Sequence, residues 1–382
     1  MKYTSLIVFA LFLIKEVYAQ DTTKVNNALL LDYYQNQRFT EAADYLKKSY
    51  PEPITDTKAL SGLAYASQMA GRLPEAENYY ERLLTIDSTN TAILFNLGSI
   101  NVRRGNNVKA IAFYKKILLK DSVNFNVFKQ MASLSQNTGN IPDAIYYLQK
   151  ANKINPIEPD VAYDLTAFYL NLKLYKKADT VVGAALKADT TNLLLLFGKA
   201  QIDFRLYKFA ETAVECRKLI QAGEQNSIVI NMLGTSYYNL KNYQDCISTF
   251  KMMEESKTAT ETSYYYTAMS FKTLKNQAMA VEYFDKAIKE AISANVNSYY
   301  NEMADSFDQL HKLKKAVDSY KKGLLYGVIP LTYYSLASLY DTELRKKALA
   351  LSYYRRYLKS GPSPNERPYI EYSKRRITEL SH

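Results

Sequence analysis

Few side chains in this sequence could carry covalent or metal chemistry. Only two histidines occur in 382 residues, His311 near a turn and His382 at the end. A catalytic triad or a histidine-based metal site needs an imidazole beside a nucleophile or further ligands, and neither histidine has such residues at a useful spacing. The glycines stand singly, so no glycine-rich loop could cradle a phosphate. Carboxylate pairs such as Glu254-Glu255 fall at helix ends, where solvated surface is the ordinary reading. Cys216 and Cys246 are the only thiols. They read as small apolar core residues, with a disulfide as the alternative in an oxidising compartment. No enzyme active site, metal or cofactor is expected.

What remains is charge and aromatic surface. The net charge is +11, yet residues 311–382 hold 15 Lys and Arg against 6 Asp and Glu. A basic patch is therefore expected from Lys346, Lys347, Arg355, Arg356, Lys374, Arg375 and Arg376. It suits an anionic envelope component, or else it is a solvated end that keeps the chain soluble. Tyrosine is abundant at 35 residues, and tryptophan is absent.

These residues are positioned by a repeating element, written out most fully from Leu94 to Ser122. Leu94, Leu97-Gly98 and Asn101 precede a turn at Gly105-Asn106, and Ala110, Tyr114 and Ile117 follow it: an αα-hairpin. A mid-helix glycine costs about 1 kcal/mol relative to alanine, so Gly98 implies a close helix crossing. Tyr114, one turn past Ala110, fills the space beside that crossing.

The first-helix small position recurs as Leu30, Ala64, Gly98, Ala132, Thr166, Gly198, Gly234, Ala268, Ala304 and Ala337, at intervals of 32 to 36 residues. The second-helix position reads Ala42, Ala76, Ala110, Ala144, Ala178, Ala210, Cys246, Ala280, Ala316 and Ala350, each with a larger residue four places on, such as Val182, Val214 and Phe250. A fixed period of this length is the mark of a repeat array. The interval shortens by two residues near Gly198, which predicts a local change of twist.

With Ile230, Leu233-Gly234, Tyr237, Cys246 and Phe250 in this order, the chain resembles the tetratricopeptide repeat family over about residues 24–360. It departs from that pattern in lacking tryptophan. It also places Asp-Ser or Asp-Thr (Asp87-Ser88, Asp121-Ser122, Asp189-Thr190) where the family favours proline, so these pairs are expected to turn the chain and cap helices. The resemblance implies an all-α, right-handed solenoid of about ten helix-turn-helix repeats, starting near residues 24, 57, 91, 125, 159, 191, 227, 261, 297 and 330, with residues 361–382 as a capping helix.

It further implies that the first helices line a concave groove holding a peptide or helix of a partner protein. The expected groove residues are Phe95, Lys129, Tyr163, Asn231, Tyr238, Tyr265, Asn301 and Tyr334. Relatives that grip a terminal carboxylate use a Lys and Asn clamp, which no pair here supplies. A non-enzymatic protein-interaction scaffold is the expected function. A glycan-binding or envelope-attachment module, using tyrosine faces and the basic end, is the alternative. Nucleic acid and membrane spanning are not expected.

Residues 1–19 read as a secretory signal: Lys2, an apolar run from Leu6 to Ile14, and Val17-Tyr18-Ala19 as a cleavage site. That run is too short to cross a bilayer. An exported, periplasmic or envelope-associated bacterial protein is expected, cleaved after Ala19 or Gln20. N-terminal sequencing of the protein from an envelope fraction should find Gln20 or Asp21 first. A retained Met1 in the cytoplasm would remove the export reading.

Overall fold

The computed structural model describes residues 25–291 and 295–381, so the expected export signal lies outside the described residues. The described residues form ten helical hairpins and a final helix, with no strand among them. They divide into two compact units, 25–155 and 156–381. The first unit holds repeats 1 to 4, pairing Asn27–Gln35 with Phe39–Ser49, Thr57–Met69 with Leu73–Ile86, Thr91–Arg103 with Asn107–Lys120, and Phe125–Asn137 with Ile141–Ile154. In the second unit, repeats 5 to 7 pair Pro159–Asn171 with Tyr175–Ala188, Leu193–Arg205 with Phe209–Gln221, and Ser227–Asn239 with Tyr243–Glu255. Repeats 8 to 10 pair Glu261–Thr273 with Gln277–Glu290, Val296–Gln309 with Leu313–Tyr326, and Pro330–Ser338 with Lys347–Lys359, and the final helix is Arg367–Ser381.

Each hairpin turns on one residue with a left-handed backbone. These residues are Gln37, Gly71, Gly105, Gly139, Lys173, Tyr207, Lys241, Lys275, His311 and Arg345. In repeats 1 to 9 the next amide then closes the helix end by donating to a carbonyl five residues back, as in Arg72 to Ser67 at 2.9 Å and Lys208 to Asp203 at 2.9 Å; in repeat 10 Lys346 reaches Tyr340, six back, at 2.7 Å. That bond satisfies an otherwise orphaned carbonyl. Where the turn residue is not glycine, the conformation costs about 1–2 kcal/mol, which the closing bond and the packing of the two helices offset.

Between repeats, the capping role falls to asparagine. Asn90, Asn124, Asn192 and Asn226 each accept backbone N–H groups at the start of the next helix. The Asp-Ser and Asp-Thr pairs were expected to cap helices as well as to turn the chain. Asp87 and Asp189 only make the turn, accepting from the Thr89 and Thr191 amides at 3.1 and 3.2 Å.

The core is built at the helix crossings. A Cβ added to Gly98 would lie 2.5 Å from Tyr114 Cε1, and one added to Gly234 would lie 2.5 Å from Phe250 Cζ. Both aromatic rings are buried against the bare glycine backbone, with Tyr114 0% exposed. Elsewhere alanine holds the position, and Ala64, Ala268, Ala304 and Ala337 are each 0% exposed.

The structure corrects the register of repeat 6. Its first-helix crossing residue is Ala200, 0% exposed, rather than Gly198, around which an added Cβ would find ordinary contacts of 3.4 Å or more. Its second-helix pair is Thr212 and Cys216, both 0% exposed, rather than Ala210 and Val214; Ala210 is exposed and Val214 is 42% exposed. Thr212 fits because its hydroxyl donates to the Lys208 carbonyl at 2.9 Å, removing the cost of burying it. With this register both ladders run at 34 residues from repeat 1 to repeat 8, and so do the left-handed turn residues from Gln37 to Lys275. The shortened interval does not exist.

Repeat 10 departs from the pattern. Its first helix ends in a π-helical turn, Leu339–Glu343, that brings Asp341 against the final helix. Arg376 grips Asp341 with two bonds of 2.7 and 2.6 Å, and the Tyr354 hydroxyl donates to the same carboxylate at 3.2 Å. Ile377 and Leu380 pack on the last hairpin's core, covering the end of the array.

Because the Gly98 crossing leaves no room for a side chain, Gly98→Ala should lower stability by about 1–3 kcal/mol in urea unfolding. The exposed Lys116→Ala should be close to neutral. Equal midpoints for the two variants would refute the crossing argument.

Candidate functional site

Three residues before each crossing residue, the first helices carry a second row of side chains. In the first unit this row contains Phe95 and Lys129, both half-buried; the Phe95 ring lies 5.7 Å from that of Tyr114. In the second unit it contains Tyr163, Phe197, Asn231, Tyr265, Asn301 and Tyr334. Phe197 was missed because of the register slip at Gly198. Counting back three from Ala200 would have found it.

Within the second unit, the aromatic members join neighbouring repeats. Tyr163 lies 6.4 Å from Phe197 by ring centroids, and Tyr265 lies 4.9 Å from Tyr299 of the next repeat. Tyr265 also touches Tyr266 and Phe284, and burial pushes its phenol far above the ordinary tyrosine range. Tyr238, at the far end of its helix, packs on Tyr266 at 4.8 Å and Tyr243 at 5.7 Å. Aromatic pairs of this kind add about 0.5–1.5 kcal/mol beyond the area they bury. These side chains therefore hold the joints while keeping part of each ring accessible.

The amides are committed in part. Asn231 Oδ1 accepts from the Thr235 hydroxyl at 3.3 Å, and Asn301 Oδ1 from the Thr332 hydroxyl of the next repeat at 2.9 Å. Tyr334 departs from the expectation of an open groove residue. Its ring lies 4.8 Å from Tyr369 and 6.2 Å from Tyr372, so the final helix covers it.

The basic residues divide into two kinds. Arg376 is a structural residue, bound to Asp341 and to Glu379 at 2.5 Å, and is withdrawn from the expected patch. Arg375 lies 3.8 Å from Glu379 and over the Tyr372 ring. Arg356 lies over the Tyr353 ring at 5.2 Å. None of Lys346, Lys347, Arg355, Arg356 and Lys374 has a carboxylate within 4.0 Å among the described residues. These five present their charge to solvent.

Groups able to do chemistry are sealed in. Cys216 and Cys246 are free thiols, not joined to each other, and burial pushes both up to about 12. Neither supplies thiolate at neutral pH. Among the described residues no three His, Cys, Asp or Glu side chains gather as a metal set, and no helix is long and apolar enough to cross a membrane.

Charged side chains instead form joints between repeats. In the first unit, buried Glu77 of repeat 2 accepts from Asn101 of repeat 3 at 3.0 Å and pairs with Arg104. Three repeats on, Lys199 bridges Asp179 at 2.8 Å and fully buried Asp203 at 2.9 Å. Glu215 sits beside this second joint. Burial and the Asp203 charge raise it to about 7.

The family model described as tetratricopeptide repeat matches residues 62–125. A TPR repeat-containing protein of Methanocaldococcus jannaschii is 28% identical over 189 residues, 46% of this chain. The match spans about a third of that relative's length, 32%. A TPR protein fragment from Cytophaga hutchinsonii is 17% identical, covering 72% of this chain and 99% of its own, with a TM-score of 0.47. A tetratricopeptide repeat protein from Parabacteroides merdae is 18% identical, covering 66% of this chain and 98% of its own, with a TM-score of 0.43. The hairpins, the glycine and alanine crossings and the 34-residue register define an all-α helical repeat protein. The family match adds that residues 62–125 are similar to tetratricopeptide repeats.

Glu215 sets a pH dependence. Its folded value of about 7 lies above its ordinary value of 4.5. The folded state therefore holds the proton more tightly, and stability is lost as pH rises from about 4.5 towards 7 and beyond. Glu215→Gln should raise the melting temperature at pH 8 and change it little at pH 4.5. An equal shift at both pH values would remove this account.

Proposed function

We propose that this chain is a non-enzymatic interaction scaffold whose first-helix row, in the second unit, holds an extended peptide or helix of a partner protein. The carrying observation is that Tyr163 and Phe197 form an aromatic pair across one repeat joint with both rings half-exposed. Rigid aromatic side chains supply contact area at low entropy cost, and a row advancing one repeat at a time suits a chain laid along it. The chemistry-bearing groups are buried or paired, which favours binding over catalysis. We place the protein in the envelope on the strength of Leu6 to Ile14 and Val17-Tyr18-Ala19.

A second surface is favoured by the solvent-facing charges of Lys346, Lys347, Arg355 and Arg356, which suit an anionic envelope component. The sequence offers no further sign of glycan binding.

Both surfaces can be tested together by crosslinking in cells and identifying captured proteins by mass spectrometry. The Tyr163→Ala, Phe197→Ala pair should lose the groove partner at unchanged helicity; retention of that partner would exclude the groove. Changing Lys346, Lys347, Arg355 and Arg356 to Gln, with Arg376 kept, should abolish a salt-sensitive association with anionic vesicles. Vesicle binding equal to the parent's would leave the basic end a soluble surface.

A further inference from the structure

The first helices of repeats 8 and 9 border an open cavity of about 500 Å³. Its walls are Met269, Lys272 and Thr273 from one helix and Asp305, Asp308 and Gln309 from the other, with Gln277 at the edge. Relative to the crossing residues Ala268 and Ala304, each set falls one, four and five places on. The cavity therefore lies along the side of the first helices that carries the proposed groove.

Some of its polar atoms are already matched. Lys272 Nζ donates to Glu302 at 2.6 Å and to Asp305 at 3.1 Å, and Asp305 also accepts from the Tyr320 hydroxyl. Two acceptors are left over. Gln277 Oε1 is buried with no hydrogen-bond partner among the described residues, while its amide nitrogen is turned to the Lys272 carbonyl. Asp308, half-buried, has no cation within 4.0 Å among the described residues. It faces Asp305 and Glu343, which with burial raise its proton affinity, and only His311 acts against them.

An unmatched amide oxygen and an unmatched carboxylate both call for a donor, and the carboxylate calls for a cationic one. A lysine or arginine side chain meets the need of Asp308, and its methylene stem can lie against Met269. Lys272 is shared between Glu302 and Asp305, so carboxylates outnumber cations around the cavity and a further positive charge is accommodated there.

We propose that this cavity receives one cationic side chain, arginine or lysine, of the peptide bound in the groove. The inference rests on the groove reading above and adds the chemistry of the partner.

The test uses the full chain and two fluorescently labelled probes, acetyl-Ala-Ala-Arg-Ala-Ala-amide and the same peptide with Gln for Arg, followed by anisotropy. The parent should bind the arginine peptide at least about tenfold more tightly, the factor for one charge-assisted hydrogen bond. Asp308→Asn should abolish that preference, and Asp308→Lys should weaken the arginine peptide further, with helicity and melting unchanged in both. Equal binding of the two peptides by the parent, or a preference that survives Asp308→Asn, would overturn the proposal. If crosslinking captures a groove partner but no arginine preference exists, this cavity falls and the groove stands. If the preference depends on Asp308 while the Tyr163, Phe197 variant keeps its partner, the cavity stands and the groove falls.

Discussion

The contact on which the fold depends is the packing of a second-helix side chain against a small first-helix residue at each crossing. Gly98 under the Tyr114 ring and Gly234 under the Phe250 ring are its tightest forms, and alanine provides the looser ones. A hairpin that closes this tightly buries its aromatic or aliphatic plug completely. Its remaining apolar face must then be covered by the next hairpin, because an isolated pair cannot bury both sides. Everything at the surface inherits its spacing from that crossing.

The turn works with the crossing to fix register. A left-handed residue followed by an amide that bonds five residues back ends the first helix of repeats 1 to 9 at a set point. The second helix then starts with its small residue opposite the first helix's. Larger side chains fill this position in the second unit, at Lys173, Tyr207, Lys241, Lys275, His311 and Arg345. They accept a strained backbone because packing on both sides over-determines the conformation.

The polar joints show how the same scaffold is made specific. Glu77 with Asn101, and Asp179 with Lys199 and Asp203, occupy corresponding places three repeats apart. A buried charge without its partner is costly, so such pairs hold one arrangement of neighbouring repeats against alternatives. The row of the first helices is tied down less completely: Tyr163 and Phe197 pack across a joint yet stay half-exposed.

The sequence by itself determined the hairpin, its period and the aromatic partner of each glycine. Those features rest on local spacing: a small residue and a plug sixteen places later can meet in only one way, as Gly98 with Tyr114 and Gly234 with Phe250 do. Repeat 6 was decided only in three dimensions. Its first helix offers small residues at both Gly198 and Ala200, and its second at both Ala210 and Thr212. Composition favoured Gly198 and Ala210, but which face meets the partner helix depends on where the turn at Tyr207 ends the first helix. Arg376 and Tyr334 looked like surface residues for a similar reason. The π-helical turn that presents Asp341, and the final helix that covers Tyr334, depend on contacts between segments about 35 residues apart in sequence, which no local pattern encodes.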